Sequence, residues 1–299
     1  MRILVTGSNG LLGQKLTELI NRDHAAYLIT TAKAPSVLPI AQGEFCTLDI
    51  TDKSEVENVV SQTQPDVIIN TAAMTQVDQC ELAREDCWKA NVTGVEHLIA
   101  AAGKNNVHLV HVSTDFIFDG NQELLDETAL PNPVNYYGES KLAGENLILE
   151  SDISWSIVRT VLVYGVTHDM SRSNIVFWVK KSLEQGKTIQ VVNDQWRTPT
   201  LAEDLASGCY RVAQKKAPGI FHICGKDYLS IYEIAIRTAE FFNLDKSLIK
   251  ATDSAKFTQP ARRPLKTGFI IEKARRVLGY EPHSFEEGLR ILASQMRST

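Results

Sequence analysis

Residues 2–13 read Arg2-Ile3-Leu4-Val5-Thr6-Gly7-Ser8-Asn9-Gly10-Leu11-Leu12-Gly13, an apolar strand that runs directly into a glycine-rich turn. Apolar residues at helical spacing follow the turn, which predicts a helix immediately after it. Glycine in such a turn permits backbone angles closed to other residues and lets the chain approach a pyrophosphate closely. The N–H groups at the start of the following helix then receive negative charge. The spacing GxxGxxG differs from the common GxGxxG, and a tight turn without a ligand is the alternative.

Short apolar runs alternate with helical patterns through the first half of the chain. One run, Val67-Ile68-Ile69, is apolar throughout, as a sheet buried on both faces requires. Alternation of this kind predicts βαβ units and a doubly wound parallel Rossmann-type sheet. The predicted strands are Ile3–Thr6, Ala26–Thr30, Phe45–Leu48, Asp66–Asn70, Val107–Ser113 and Ser154–Arg159.

Tyr137 and Lys141 stand four residues apart in a segment that reads as a helix. Residues i and i+4 share a helix face, so the two side chains should be neighbours. A cation within about 4–6 Å favours the phenolate, and we expect Lys141 to lower the pKa of Tyr137 by about 1–3 units. Tyr136 lacks this partner because its i+4 residue is Ser140. The pair predicts a general acid beside a cation and, with the upstream glycines, hydride transfer between a nicotinamide cofactor and a carbonyl.

A third polar group is expected at the end of the strand Val107–Ser113, where Ser113 and Thr114 follow an apolar run. Open α/β sheets bind ligands at this carboxyl edge. A hydroxyl here can hydrogen-bond the substrate carbonyl, or it can simply cap the strand end. His111, inside the strand, reads as a buried core histidine rather than a catalyst.

The choice of cofactor depends on the region at the end of the second predicted strand. This region, residues 29–34, contains no carboxylate. NAD-specific enzymes often place an acid there to hold the ribose 2′-hydroxyl. Lys33, with Thr30 and Thr31, could instead meet a 2′-phosphate, although Lys33 also reads as a solvated surface lysine. We therefore expect NADP or NAD, with a preference for NADPH.

The second half of the chain has longer spacings, and its predicted helices are Ile175–Gln185, Leu201–Gln214, Ile231–Phe242 and Ser284–Met296. No linker composition marks a boundary. We expect residues 1–165, with 198–225, to form the NAD(P)-binding Rossmann domain. Residues 166–197 and 226–299 should form a smaller α/β substrate-binding domain.

Composition is that of an ordinary globular protein, with 43% hydrophobic and 22% charged residues and a net charge of −5. We expect no nucleic-acid partner from this charge, and no membrane association, since no run approaches about 18 apolar residues. No leader peptide is expected. The five cysteines form no CxxC pair and indicate reduced thiols in a cytoplasmic protein. We assign no metal site.

Taken together, these residues resemble the extended short-chain dehydrogenase/reductase superfamily, and more narrowly its dTDP-4-dehydrorhamnose reductase branch. The resemblance extends over essentially the whole chain. It is carried by residues 5–13 (VTGSNGLLG), 70–78 (NTAAMTQVD), 113–120 (STDFIFDG), 137–145 (YGESKLAGE), 194–195 (DQ), 198–200 (TPT) and 260–264 (PARRP).

The resemblance implies a catalytic trio of Thr114, Tyr137 and Lys141. Tyr137 would protonate the C4 keto oxygen, Lys141 would also bind the nicotinamide ribose, and Thr114 would orient the carbonyl. Asn91 looks like a structural residue. The cofactor set is Gly7, Asn9, Gly10, Leu11, Leu12, Gly13, Lys33, Asp49, Ile50, Ala72, Ala73, Thr75, Tyr137 and Lys141. The substrate set is Thr75, Val77, Asp115, Phe116 and Arg263.

Within the substrate set, Arg263 is our candidate for the diphosphate of a nucleotide sugar, because a guanidinium binds phosphate bidentately. The alternative for Arg263 is a surface salt bridge. Two positions depart from the family, which often has tyrosine at the position of Phe116 and tryptophan at that of Leu162. The implied reaction is reduction of dTDP-4-dehydro-6-deoxy-L-mannose to dTDP-L-rhamnose, a precursor of cell-surface polysaccharide, or of another 4-ketosugar nucleotide. A homodimer is possible.

Two other functions compete. A sugar-nucleotide dehydratase or epimerase shares the fold, but dehydratases carry Thr-Asp-Glu where this chain has Thr114-Asp115-Phe116, and Phe116 has no proton to exchange. A non-catalytic regulatory subunit of a metabolic enzyme also resembles this branch. Intact Thr114, Tyr137 and Lys141 argue against the regulatory function.

Overall fold

The computed structural model describes residues 1–23, 25–168 and 174–296. Its strands are β1 (Arg2–Thr6), β2 (Tyr27–Ala32), β3 (Gly43–Thr47), β4 (Val67–Asn70), β5 (His108–Thr114), β6 (Leu124–Leu125), β7 (Trp155–Thr160), β8 (Val163–Tyr164), β9 (Ile189–Val192), β10 (Trp196–Arg197), β11 (Thr200–Leu201), β12 (Gly219–His222), β13 (Leu229–Ser230), β14 (Ile249–Thr252) and β15 (Gly268–Phe269). Its helices are α1 (Leu11–Arg22), α2 (Lys53–Thr63), α3 (Val77–Leu82), α4 (Arg84–Trp88), α5 (Gly94–Asn105), α6 (Tyr136–Leu149), α7 (Ile175–Glu184), α8 (Ala202–Lys215), α9 (Ile231–Phe241), α10 (Glu272–Leu278) and α11 (Phe285–Met296). A π-helical turn, Lys89–Thr93, joins α4 to α5.

Seven parallel strands form the main sheet, in the order β12-β7-β5-β4-β1-β2-β3. The order reverses direction between β1 and β4, and in doubly wound sheets ligands bind outside the carboxyl ends of the strands at such a point. The predicted Rossmann-type sheet is confirmed, and each predicted strand overlaps an observed one.

Both faces of the sheet are covered by helices because the strands are apolar on both faces. Ile3 and Val5 of β1 pack in one cluster with Leu16 of α1 and Leu205 of α8. Leu4, on the opposite face, packs in a second cluster with residues of α2 and α5. This two-sided burial explains why β1 reads as a continuous apolar run.

The second half of the chain adds a smaller layer beside the sheet. Strands β9 and β14 pair in parallel, and α7 and α9 pack on them around their own core. Strand β12 instead joins the main sheet next to β7. The four predicted helices of this half match α7, α8, α9 and α11 to within one residue at each end. No helix in the described ranges has the length and apolarity needed to cross a bilayer.

Candidate active site

The glycine-rich turn between β1 and α1 is shaped as a close-approach cradle. Gly7 has φ +65°, the left-handed region, and a Cβ there would lie 2.9 Å from the Ala72 Cα. A Cβ at Gly13 would collide with the Gly7 carbonyl. Gly10 precedes α1 and has no side chain to cap the helix, so the first N–H groups, on Leu11 and Leu12, are available to an anion. These residues fit the pyrophosphate of a dinucleotide.

Asn9 closes the cradle on its outer side. Its amide donates to the carbonyls of Ala34 (3.2 Å) and Pro35 (2.9 Å) and accepts from the Val37 N–H (3.2 Å). The side chain thus fastens the loop after β2 to the turn. The structure places Asn9 in a supporting position, where its amide is already used by the protein.

Lys33 and Asp49, which the sequence assigned to the cofactor separately, form an ion pair of 2.7 Å at the exposed rim. The Lys33 side chain is 68% exposed and can turn toward an anion. Thr30 and Thr31 are fully buried in β2 and therefore cannot meet a 2′-phosphate. Ile50 is buried next to Gly94 at the start of α5.

The segment after β4 lies beside the cradle and carries Ala72 and Ala73. The Ala72 N–H donates to Thr6 Oγ1 at 3.3 Å, which holds this segment against the end of β1. Asn91 brackets the next residue, accepting from the Met74 N–H at 2.9 Å and donating to its carbonyl at 3.0 Å. Thr75 follows and is exposed. Ala72, Ala73 and Thr75 thus border the crevice where the strand order reverses.

The three predicted catalytic residues come together at the carboxyl end of β5. Thr114 ends the strand, Tyr137 and Lys141 lie on one face of α6, and all three are buried, at 6%, 8% and 2% exposure. Helix α6 begins where it does because the Asn135 side chain caps it, accepting from the Gly138 N–H at 2.8 Å. The spacing in the sequence is therefore realised as a shared helix face.

The charges in this cluster differ from the expectation. The Lys141 Nζ lies 3.1 Å from His111 Nε2 and donates to the Val112 carbonyl at 2.8 Å, so its hydrogen bonds go to β5. Burial raises the pKa of Tyr137 well above its ordinary value, against a smaller opposing effect of the Thr114 hydroxyl. Burial also lowers the pKa of Lys141 to about 8. The expectation that Lys141 lowers the pKa of Tyr137 is wrong here, because the desolvation of the buried phenol is the largest effect on its pKa and raises it.

A cavity of about 370 Å³ opens beside the trio, between the sheet edge and the second half of the chain. Phe116 connects the two regions, since it lines the cavity and packs edge-on against the Tyr137 ring with 5.7 Å between centroids. Leu162 also lines the cavity, with φ +36°. The walls of the cavity are mostly apolar, and its polar side chains include Gln195, Arg197, Gln259 and Arg263.

Arg263 lies at this cavity in a bidentate pair with Asp78, at 3.1 and 2.8 Å. The hydrogen bond from Arg263 is the main reason that the pKa of Asp78 is lowered. The segment is tied to the start of α6 by Asn135, whose amide donates to the Arg262 carbonyl at 2.7 Å. Val77, the first residue of α3, packs in the apolar cluster around Tyr137. The salt bridge expected as the alternative for Arg263 is present, and it holds the guanidinium at the cavity wall.

Asp115 is held by contacts within the protein. It is 2% exposed, accepts a short hydrogen bond from Thr267, and lies 3.6 Å from Arg197 Nε. Burial raises its pKa. These contacts give Asp115 a supporting position beside Thr114, and its assignment to the substrate set stays a prediction.

Arg197 is a residue that sequence reasoning missed. Its guanidinium is buried and donates to the carbonyls of Trp196 (2.7 Å), Leu265 (3.0 Å) and Pro264 (2.7 Å). It thereby fixes the chain next to Arg263. The available signal was its place between residues 194–195 and 198–200, both of which fit the family pattern.

Known proteins resemble this chain over nearly its whole length. The family model described as the RmlD substrate binding domain matches residues 1–298. The dTDP-4-dehydrorhamnose reductase of Aggregatibacter actinomycetemcomitans is 32% identical over 301 residues, covering 97% of each chain. Methionine adenosyltransferase 2 subunit beta of Bos taurus is 29% identical over 261 residues, covering 85% of this chain and 76% of that protein. The structure of the dTDP-4-dehydrorhamnose reductase of Bacillus anthracis in complex with NADP superposes with a TM-score of 0.85, at 29% identity and with 98% and 99% of the two chains covered.

Proposed function

Because the chain belongs to the family of the RmlD substrate binding domain, we propose that it is an NAD(P)H-dependent reductase of a nucleotide-activated 4-keto-deoxysugar. The substrate that fits the relatives is dTDP-4-dehydro-6-deoxy-L-mannose, with dTDP-L-rhamnose as product. The observation that carries the proposal is the position of Tyr137 and Thr114. They lie buried between a dinucleotide cradle and a cavity whose wall holds Arg263.

Tyr137 is the general acid of the proposed reaction. Its raised pKa, caused by burial, keeps the phenol protonated at neutral pH, so the proton is available to a developing C4 alkoxide. The Thr114 hydroxyl, which donates to Asp115 Oδ1 at 3.1 Å, is the group that would turn to the substrate and orient its carbonyl. When bound, the reduced nicotinamide supplies the hydride. The walls around Tyr137, formed by Phe116, Val77 and Met74, exclude water from the reacting carbon.

Lys141 supplies positive charge beside the ribose of the bound cofactor. Its pKa of about 8, lowered by burial, means that the ammonium form prevails at neutral pH and is lost as the pH rises through that value. We therefore expect the rate to fall on the alkaline side as this charge disappears. The cofactor is held by the cradle at Gly7, Gly10 and Gly13.

In the proposed function, the cofactor and the sugar nucleotide bind to different parts of the chain. We propose that residues 1–165, with 198–225, bind the cofactor, and that 166–197 and 226–299 bind the sugar nucleotide. In this scheme Arg263 exchanges Asp78 for the substrate diphosphate, since a guanidinium binds both groups through the same bidentate geometry. NADPH is the preferred cofactor, because Lys33 is exposed enough to reach a 2′-phosphate.

A regulatory subunit is the second candidate, favoured by the similarity to methionine adenosyltransferase 2 subunit beta. One assay separates the two functions: NADPH and NADH oxidation with dTDP-4-dehydro-6-deoxy-L-mannose against a panel of other 4-ketosugar nucleotides. A reductase turns over at least one of them and yields the C4 alcohol. Cofactor binding by folded protein with no turnover across the panel would overturn the reductase proposal.

A further inference from the structure

A row of buried polar side chains runs across three neighbouring strands and ends on Lys141. Thr6, Asn70 and His111 occupy matching register positions on β1, β4 and β5. Thr6 Oγ1 donates to Asn70 Oδ1 at 2.6 Å, Asn70 Nδ2 lies 3.0 Å from His111 Nδ1, and His111 Nε2 lies 3.1 Å from Lys141 Nζ. Each of these residues is at most 2% exposed.

In this row, the direction of each hydrogen bond determines the direction of the next one. With its oxygen toward Thr6, the Asn70 amide presents N–H to His111 Nδ1, which must accept. A neutral imidazole then carries its proton on Nε2 and donates it, so Lys141 Nζ must supply a lone pair and be an amine. Burial and the Lys141 charge keep the pKa of His111 well below its ordinary value, so the ring is neutral.

The ammonium form of Lys141 requires the opposite arrangement. When the site takes up a proton, the Nε2 proton passes to Lys141 Nζ and the incoming proton is bound at His111 Nδ1. Lys141 then donates to Nε2, and Asn70 must turn its oxygen toward the ring and its NH₂ toward Thr6. Each link between neighbouring side chains has one donor and one acceptor in both arrangements; in the ammonium arrangement Thr6 Oγ1 accepts from Asn70 as well as from the Ala72 N–H. The two sets differ only in the direction in which the hydrogen bonds point, and the protonation state of Lys141 selects between them.

The groups that face Lys141 come from three sides. His111 and the Val112 carbonyl face it from β5, and Glu145 faces it from its own helix. Cys80 and Cys87 face it from α3 and α4 and, like Glu145, favour its charged form. Glu145 is itself paired with Arg159 at 2.7 Å. His111 is thus a neutral group that can accept a hydrogen bond from the Lys141 ammonium or donate one to the Lys141 amine.

We propose that His111 and Asn70 are positioning residues of Lys141, and that the row Thr6–Asn70–His111 reverses its hydrogen bonds whenever Lys141 gains or loses a proton. The lysine is thereby held at one place in both protonation states. The catalytic meaning of this inference rests on the proposed function, whereas the reversal itself does not.

The direct test is the tautomer of His111, read by NMR on full-length protein with ¹⁵N-labelled histidine between pH 6 and pH 10. The chain has seven histidines, and the His111→Gln variant assigns the signal. We expect Nδ1–H at low pH and Nε2–H at high pH, with a midpoint near the pKa of Lys141, about 8. The change should vanish in Lys141→Met. A His111 tautomer that stays fixed, or that changes equally in Lys141→Met, overturns the proposal.

His108 is the matched control within the same experiment. It lies on the same strand, is 1% exposed, and is held by Ser154 and Ser156 at 2.6 and 2.8 Å, away from Lys141. Its tautomer should not follow the titration of Lys141. A His108 signal that switches together with His111 would indicate a general change in the fold and count against the row.

Two variants should shift the pH at which kcat falls on the alkaline side, called here the alkaline limb, in opposite directions. Asn70→Asp can only accept, so it locks the ring as Nδ1–H, favours the ammonium and raises the limb by about 1 pH unit. His111→Leu removes the acceptor and lowers the limb by about 1 pH unit, while His111→Gln restores most of it and His108→Leu leaves it in place. Identical limbs in all variants would overturn the proposal. Absence of turnover with an intact tautomer switch would overturn the reductase function and leave the row standing.

Discussion

Replacing Lys141 by methionine should stabilise the fold while removing a charge that the proposed reaction needs. The buried lysine has a pKa of about 8 in place of the ordinary 10.5. One pKa unit corresponds to about 1.4 kcal/mol, so keeping this side chain charged at pH 7 costs the folded state about 3 kcal/mol. Methionine has a similar volume but loses the contacts to His111 and the Val112 carbonyl, an offset of about 2 kcal/mol. The net gain at pH 7 is therefore about 1 kcal/mol.

The sign of the pH dependence follows from the lowered pKa. Between pH 8 and 10.5 the unfolded chain binds the lysine proton more often than the folded chain, so wild-type stability rises with pH in this window. Lys141→Met lacks this effect, and its advantage over the wild type should shrink by about 2 kcal/mol between pH 7 and pH 9.5.

Urea denaturation at the two pH values measures this difference, provided the m-value is unchanged. Lys104→Met is the control, because Lys104 is exposed to water near the end of α5. A Lys141→Met variant that is less stable than the wild type by the same amount at both pH values would refute the reasoning, because the lysine would then not be a buried, destabilising charge.

Three further predictions concern the periphery of the site. NADPH should bind at least as well as NADH, by roughly tenfold or less, and Lys33→Ala should remove the preference in a fluorescence titration; a strong NADH preference untouched by Lys33→Ala would contradict this. Arg263→Ala should raise KM for the sugar nucleotide roughly ten- to hundredfold with kcat less affected, while exposed Arg262→Ala should change neither; a loss confined to kcat would exclude a diphosphate contact. Asp115→Ala should destabilise the protein by about 3–5 kcal/mol, because it leaves Arg197 buried without its carboxylate; an unchanged urea midpoint would contradict that role.

The fold was predictable from the sequence because its signals are local. The apolar runs mark strands buried on both faces, and Gly13 stands where a side chain would collide with the turn. The shared face of Tyr137 and Lys141 follows from helix geometry alone. Each of these inferences needs only neighbours within a few residues.

What could not be predicted depends on contacts between distant segments. Lys141 turns to His111 because the register of β5 places that ring beneath α6, and no spacing in the sequence encodes this. Arg197 and Asp115, which are distant in the sequence, lie 3.6 Å apart for the same reason. The pKa of Tyr137 rises because of burial, which a helix face cannot reveal. The left-handed backbone of Leu162 is likewise imposed by its surroundings, since leucine does not favour it.

The proton donor is tested most directly by comparing Tyr137→Phe with Tyr136→Phe. Only the phenol oxygen is removed in each, and Tyr136 packs instead against Arg84 and Trp88, away from Thr114. Single-turnover reduction of the accepted 4-ketosugar nucleotide, with NADPH affinity measured in parallel, should show a loss of about 10²- to 10⁴-fold or more for Tyr137→Phe and little change for Tyr136→Phe. NADPH affinity should stay near that of the wild type in both. Wild-type turnover by Tyr137→Phe would contradict the account.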